Sequence, residues 1–126
     1  MLPPTVLIVD DHDGFRAFAR DLLQMAGFDV VAEAADGRAA LDQVPRFRPA
    51  VVLLDVQLPD LDGFAVAHEL LQGPGPPAVV LVSTRDAADY GRRIKTSGAA
   101  GFITKSRLSG DTLRAILRGQ AEGEPT

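Results

Sequence analysis

Three short stretches of the chain are apolar without interruption: Val6-Leu7-Ile8-Val9, Val51-Val52-Leu53-Leu54 and Val79-Val80-Leu81-Val82. Runs of this length, rich in β-branched residues and lacking polar alternation, predict strands buried on both faces, as in a parallel sheet. Asp29 to Glu33 and Gly101 to Thr104 supply two weaker strands. Between the strands the period changes to that of a helix. Phe15, Phe18, Ala19, Leu22, Leu23 and Ala26 fall on one helical face, which Gly27 stops. Asp36 is placed to cap a second helix reaching about Val44, ahead of Pro45 and Pro49. A third runs from about Phe64 to Gln72 and closes at Gly73-Pro74-Gly75-Pro76-Pro77. Ala87, Tyr90, Gly91 and Ile94 mark a fourth ending near Gly98, and Leu113, Ile116 and Leu117 a fifth with Ser109 as its cap. The pattern is a βα unit repeated five times.

Alternating strands and helices predict an α/β fold, a doubly wound parallel sheet with right-handed crossovers. Two strand orders compete. In the flavodoxin-like order 2-1-3-4-5, strands 1, 3 and 4 are interior, and these are the three uninterrupted apolar runs. Strand 2, bracketed by Asp29 and Glu33, suits an edge. The dinucleotide-binding order would bury strand 2 and would need a glycine-rich turn after strand 1. That turn is Asp10-Asp11-His12-Asp13-Gly14, with carboxylates where a pyrophosphate would sit, and the dinucleotide reading fails.

Composition sharpens this. The 126 residues suffice for one domain, and 46% hydrophobic residues suffice for its core. No apolar run can span a bilayer, and the N-terminus has no basic stretch followed by a long apolar one, so no membrane contact or secretion is expected. The absence of Cys excludes disulfides and thiol chemistry and agrees with a cytoplasmic location. A net charge of −4 argues against direct nucleic-acid contact. The 13 Asp against 4 Glu put carboxylates where elements stop rather than on helix surfaces. Gly119 to Thr126 is polar and without apolar period, a frayed end or the start of a linker after a domain of residues 1–118.

Open α/β sheets bind ligands at the carboxyl ends of their strands. Those ends carry Asp10 and Asp11 after strand 1, Asp55 after strand 3, Ser83 and Thr84 after strand 4, and Lys105 after strand 5. Carboxylates gathered there repel one another unless a cation neutralises them, and Mg²⁺, a hard ion that takes carboxylate, water and phosphate oxygens, fits that need. With a lysine and a hydroxyl on the flanks, the group forms a pocket for a phosphoryl group, with Asp55 central as the nucleophile.

From about Thr5 to Arg118 the chain resembles the receiver domain of two-component response regulators. The resemblance is carried by Asp10-Asp11, by Leu54-Asp55-Val56-Gln57-Leu58-Pro59-Asp60-Leu61-Asp62-Gly63, by Ser83, and by Gly98-Ala99-Ala100-Gly101-Phe102-Ile103-Thr104-Lys105. Asp11 precedes Asp55 by 44 residues and Ser83 precedes Lys105 by 22, spacings that agree with the family. The resemblance implies phosphoryl transfer from a sensor histidine kinase to Asp55. It implies Mg²⁺, with Mn²⁺ as a substitute, held by Asp11, Asp55 and the backbone carbonyl of Gln57, with Asp10 acting through water. Ser83 and Lys105 would touch the phosphoryl oxygens, Phe102 would be the aromatic switch, and Gln57 and Arg85 would tune dephosphorylation. Thr84, bulkier than the Ala or Gly often found at its position, is expected to shield the acyl phosphate from water. The style of the fifth repeat is closest to receivers that precede LuxR-type helix-turn-helix domains.

Blander readings stand beside these. Asp13 is most simply the N-cap of helix 1, His12 and His68 stand alone without metal partners, and Tyr90 packs on its helix face. Asp60-Leu61-Asp62-Gly63 is a turn capping helix 3, because Leu58 and Pro59 occupy the first positions a calcium loop would need. Asp11-His12-Asp13-Gly14 has a superficial likeness to the nucleophile loop of haloacid-dehalogenase-type phosphatases, which also need a late acidic pair that nothing after residue 89 supplies. A degenerate receiver, acting as a phosphorylation-independent interaction module, is the other alternative. Residues 86–118 carry 7 basic and 3 acidic side chains, which marks helix 4, strand 5 and helix 5 as a surface for an output partner or a homodimer. The reading leaves open a stand-alone receiver and one cut from a longer regulator.

Overall fold

The computed structural model describes residues 2–122. Five parallel strands lie in the order β2-β1-β3-β4-β5: β1 Thr5–Val9, β2 Asp29–Ala34, β3 Val51–Asp55, β4 Ala78–Ser83 and β5 Gly101–Thr104. This is the expected order, and burial explains it. Every residue of β3 is buried, as are Val6 to Val9 and Val79 to Ser83, whereas edge strand β2 begins on an exposed Asp29. Alternate side chains enter two cores. Leu7, Val9, Val52, Leu54, Val79 and Leu81 face helices α2 (Gly37–Phe47) and α3 (Gly63–Leu70). Val6, Ile8, Val51, Leu53, Val80 and Val82 face α1 (Asp13–Met25) and α5 (Gly110–Glu122).

Several boundaries differ from the sequence reading. Asp13 does not cap α1. His12 is the extended N-cap residue and makes no side-chain capping bond, and Asp13 opens the helix and pairs with Arg16 one turn on. The stop at Gly27 holds, with φ at +96°. Asp36 caps α2 as expected, accepting from Ala39 N–H at 2.8 Å, but the helix runs past Pro45 to Phe47 and ends on Arg48 in the left-handed region. A proline so near a helix end forfeits one backbone bond and interrupts little. Helix α3 stops at Leu70, two residues short of the expected end. The fourth helix is broken: a 3-10 turn at Ala87–Asp89 and then a single turn, α4 (Arg93–Thr96), are separated by Gly91 at φ +59°. Ser109 caps α5, its hydroxyl accepting from Thr112 N–H at 3.0 Å. Helix α5 continues to Glu122, into the segment expected to be a polar tail; residues 123–126 of that tail lie outside the described residues.

One contact ties the two sides of the β3–α3 loop to α2. Asp62 caps α3 by accepting from Phe64 N–H at 2.9 Å, so the turn reading of this loop holds. Asp60 reaches instead to the start of α2, accepting from Gly37 N–H at 2.8 Å and Arg38 N–H at 3.0 Å. Desolvation pushes its carboxyl up, but these backbone donors, which favour the charged form, outweigh it and hold the carboxyl below its ordinary value. A group of lowered pKa stabilises the fold above its unfolded pKa and loses that contribution as pH falls through the folded one. Asp60→Ala is therefore expected to lower the melting temperature at pH 7. The deficit should shrink toward pH 3 in a melting series, and a deficit independent of pH would show that charge at Asp60 plays no part.

Candidate functional site

The carboxyl ends of β1, β3, β4 and β5 meet at one end of the sheet. Asp10 is fully buried, its Oδ1 accepting from His12 N–H at 2.8 Å, which turns the chain sharply out of β1. Asp55 closes β3 and is 3% exposed, with Oδ1 accepting from Gln57 N–H at 3.1 Å. Lys105, the first residue after β5, brings Nζ within 2.6 Å of Asp10 Oδ2 and 3.4 Å of Asp55 Oδ2. The contact with Asp10 is a close, buried ion pair. The Lys105 ammonium lies over the ring of Phe15 on α1, 4.5 Å from its centroid.

A cavity of about 250 Å³ opens beside these groups, lined by Asp11, His12, Asp55, Gln57, Leu58, Pro59, Thr84 and Lys105. A larger one, about 770 Å³, lies at the opposite end of the sheet among Leu41, Val44, Pro45, Pro49, Leu70 and Pro74 to Pro77, with Arg48 and Glu69 as its charged lining residues. The clustered acids and Lys105 adjoin the smaller cavity.

Burial is the first reason that Asp55 is a stronger base than an ordinary aspartate. Desolvation penalises its charged form, and neighbouring Asp10 adds repulsion. Gln57 N–H and Lys105 pull the other way without prevailing, so the pKa is raised from 3.8 to about 6. One lysine does not compensate three carboxylates. Ligand atoms of Asp10, Asp11, His12 and Asp55 all lie within 4.8 Å of one another, close enough to surround a single ion. The three carboxylates, with a single lysine to offset them, fit a hard divalent cation.

The expected residues are thus brought together with three exceptions, Ser83, Arg85 and Phe102, and one addition, His12. Ser83 is 1% exposed and does not line the cavity; its hydroxyl lies 2.6 Å from that of Tyr90. Arg85 lines a neighbouring groove with Tyr90 and Arg93 instead. His12 does not stand alone: its Nδ1 is 3.2 Å from both Asp10 Oδ1 and Asp11 Oδ1. Its place in the run Asp10-Asp11-His12 was the available signal, since a tight turn there folds the ring back on its neighbours. Tyr90 does more than pack on a helix face, as it joins Ser83 to Phe102, with ring centroids 5.8 Å apart in the latter pair.

A parallel sheet in the order 2-1-3-4-5, with acids and a lysine gathered at its carboxyl edge, defines a domain of the flavodoxin-like class. Residues 6–118 match the response regulator receiver domain, and the chain belongs to that family. It is 34% identical over 112 residues to the response regulator GacA of Pseudomonas viridiflava, covering 88% of this chain and 52% of that protein. The chain thus spans about half the length of the curated relatives it matches. Among solved structures, a signal receiver domain from Mycobacterium tuberculosis superposes with a TM-score of 0.84 at 33% identity, covering 94% of this chain and 96% of that one. A LuxR-family two-component response regulator from Aurantimonas sp. SI85-9A1 gives 0.84 at 27% identity, covering 95% and 86%. Receiver domains of this family bind Mg²⁺ at an acidic pocket and interact with histidine kinases and output domains. No helix among the described residues is long and apolar enough to cross a membrane.

Proposed function

We propose that Asp55 is the phosphoacceptor of this receiver and takes its phosphoryl group from a sensor histidine kinase. The observation that carries the reading is a buried carboxylate at the end of the central strand, facing a small cavity with Lys105 Nζ 3.4 Å away. In the transfer, an Asp55 oxygen attacks the phosphorus of a phosphohistidine. The P–N bond breaks, and its electron pair returns to the imidazole nitrogen, which then takes up a proton. Lys105 is placed to bind a phosphoryl oxygen, and transfer would draw it from Asp10 and Asp55. Asp10, Asp11, Asp55 and the backbone carbonyl of Gln57 would hold Mg²⁺, or Mn²⁺ in its stead; bound there, the ion supplies positive charge to the phosphoryl oxygens. Thr84 lines the mouth of the cavity, where it supports a shielding role against water. The output surface in this reading is that of α4, β5 and α5, where basic side chains outnumber acidic ones, and it would serve dimerisation or docking of an output partner.

Acetyl phosphate or phosphoramidate with Mg²⁺ should add one phosphoryl group to the wild type, seen by intact mass, and none to Asp55→Asn. Chelation of the metal should abolish the labelling. Equal labelling of the variant would remove Asp55 from the role.

A further inference from the structure

Ser83 carries the hydroxyl that the phosphoacceptor reading assigns to the phosphoryl group, yet that hydroxyl is already engaged. Its Oγ lies 2.6 Å from Tyr90 Oη and accepts from Arg85 N–H at 3.1 Å. Thr84, its neighbour, lines the cavity and Ser83 does not. A serine hydroxyl has one proton and two lone pairs. With one lone pair taken by Arg85 N–H, either Ser83 donates its only proton to Tyr90, or Tyr90 donates and fills the second lone pair. In both cases Tyr90 sets the rotamer of Ser83. Tyr90 is itself held: its ring stands edge-on to Phe64 at 5.5 Å between centroids, and is tilted against Phe102 at 5.8 Å. It emerges from a segment in which Gly91 interrupts the helix, and from residue 84 to 98 only Ser97 is buried.

We infer that Tyr90 is a positioning residue that holds the Ser83 hydroxyl out of the phosphoacceptor cavity in the unmodified protein, and so resists phosphoryl binding. The inference rests on the phosphoacceptor reading of Asp55 and names a control on that same site. To donate to a phosphoryl oxygen, Ser83 must leave the 2.6 Å contact or keep Tyr90 only as a donor. Moving the Ser83 hydroxyl into the cavity breaks or redirects this contact, and Phe64 and Phe102 are the side chains against which the Tyr90 ring can then turn. The hydroxyl of Tyr90 therefore couples the state of Ser83 to that of Phe102, and the surrounding backbone offers little buried structure to oppose the movement.

Tyr90→Phe retains the ring between Phe64 and Phe102 and deletes only the oxygen. The wild type, Tyr90→Phe, Ser83→Ala and the double variant are titrated with beryllofluoride in the presence of Mg²⁺. Binding is followed by fluorine NMR, and residues 83–102 by amide shifts. Tyr90→Phe is expected to bind beryllofluoride about five-fold more tightly, the effect of removing one competing neutral hydrogen bond. Its free form should already show amide shifts at Ser83 and Phe102 in the direction that the ligand causes in the wild type. In the Ser83→Ala background, Tyr90→Phe should change the affinity less than two-fold, because the contact it removes is gone. Unchanged or weaker binding by Tyr90→Phe, or an equal gain without Ser83, overturns the inference while leaving the phosphoacceptor reading intact. Failure of the wild type to bind beryllofluoride overturns both.

Discussion

Gly63→Ala is expected to destabilise the chain by about 3 kcal/mol or more, lowering its melting temperature by roughly 10–20 °C. Gly63 opens α3 directly behind β3, and its N–H donates to the Val56 carbonyl at 2.9 Å. A Cβ there would lie 2.5 Å from the Asp55 carbonyl oxygen and 2.6 Å from both Cα and O of Val56. All three obstacles are backbone atoms of the central strand and its exit, so no rotamer change relieves the clash. The helix must withdraw, which opens the core around Val66 and Ala67, or the Asp55 backbone must shift. Thermal melts of the two proteins decide the matter. A melting temperature within two or three degrees of the wild type would mean that α3 slides freely on β3. Gly14 provides a control, because a Cβ at that position meets nothing within 4 Å.

Asp55→Asn should do the opposite and raise stability at pH 7 to 8 by about 2 kcal/mol when no divalent cation is present. The native pKa of about 6 lies above the ordinary 3.8, chiefly through burial and then through repulsion by Asp10. Between those two values the folded chain binds more protons than the unfolded one. The contribution of this carboxyl is therefore complete below pH 3.8 and is lost as pH rises through about 6. Asparagine keeps the shape and carries no charge, so its advantage should appear above pH 6 and fade toward pH 4. Denaturant unfolding across that range measures it. An advantage equal at pH 4 and pH 8 would show that strain or hydrogen bonding, not charge, is the cause. The comparison bears on the proposed function as well: in that reading, the position that takes the phosphoryl group is held at a cost to the fold.

The sheet was legible because interior parallel strands leave an unmistakable trace. Val6 to Val9, Val51 to Leu54 and Val79 to Val82 are packed on both faces, so nothing polar interrupts them. The acid cluster was legible for a related reason, since topology alone carries Asp10, Asp11, Asp55 and Lys105 to one edge. Contacts between side chains were not. The bond from Asp60 to the start of α2 joins residues 23 apart, and its only trace is a first helical turn without an acid of its own. Tyr90 fits a helical period, and that period is the one Gly91 breaks by adopting positive φ, so the pattern counted as apolar spacing a residue that ends the helix. Pro45 misled in the other direction, because breaker status is weak in a last turn. The partnership of Tyr90 with Ser83 depends on that irregular backbone and had no periodic signature.

The same irregular stretch has a bearing on how such a domain can change over generations. From residue 84 to 98 only Ser97 is buried, and Tyr90 and Ile94 are the half-buried apolar side chains that anchor the segment to the core. Substitutions at exposed positions of this kind usually alter stability by less than about 0.5 kcal/mol, whereas those beneath the sheet alter it by several times as much. Variation can therefore accumulate beside β5 without unfolding the molecule, while the acids and the lysine stay locked between buried strands. On the proposed function, a lineage built on this plan can exchange one listener for another and keep the same chemistry for receiving the message.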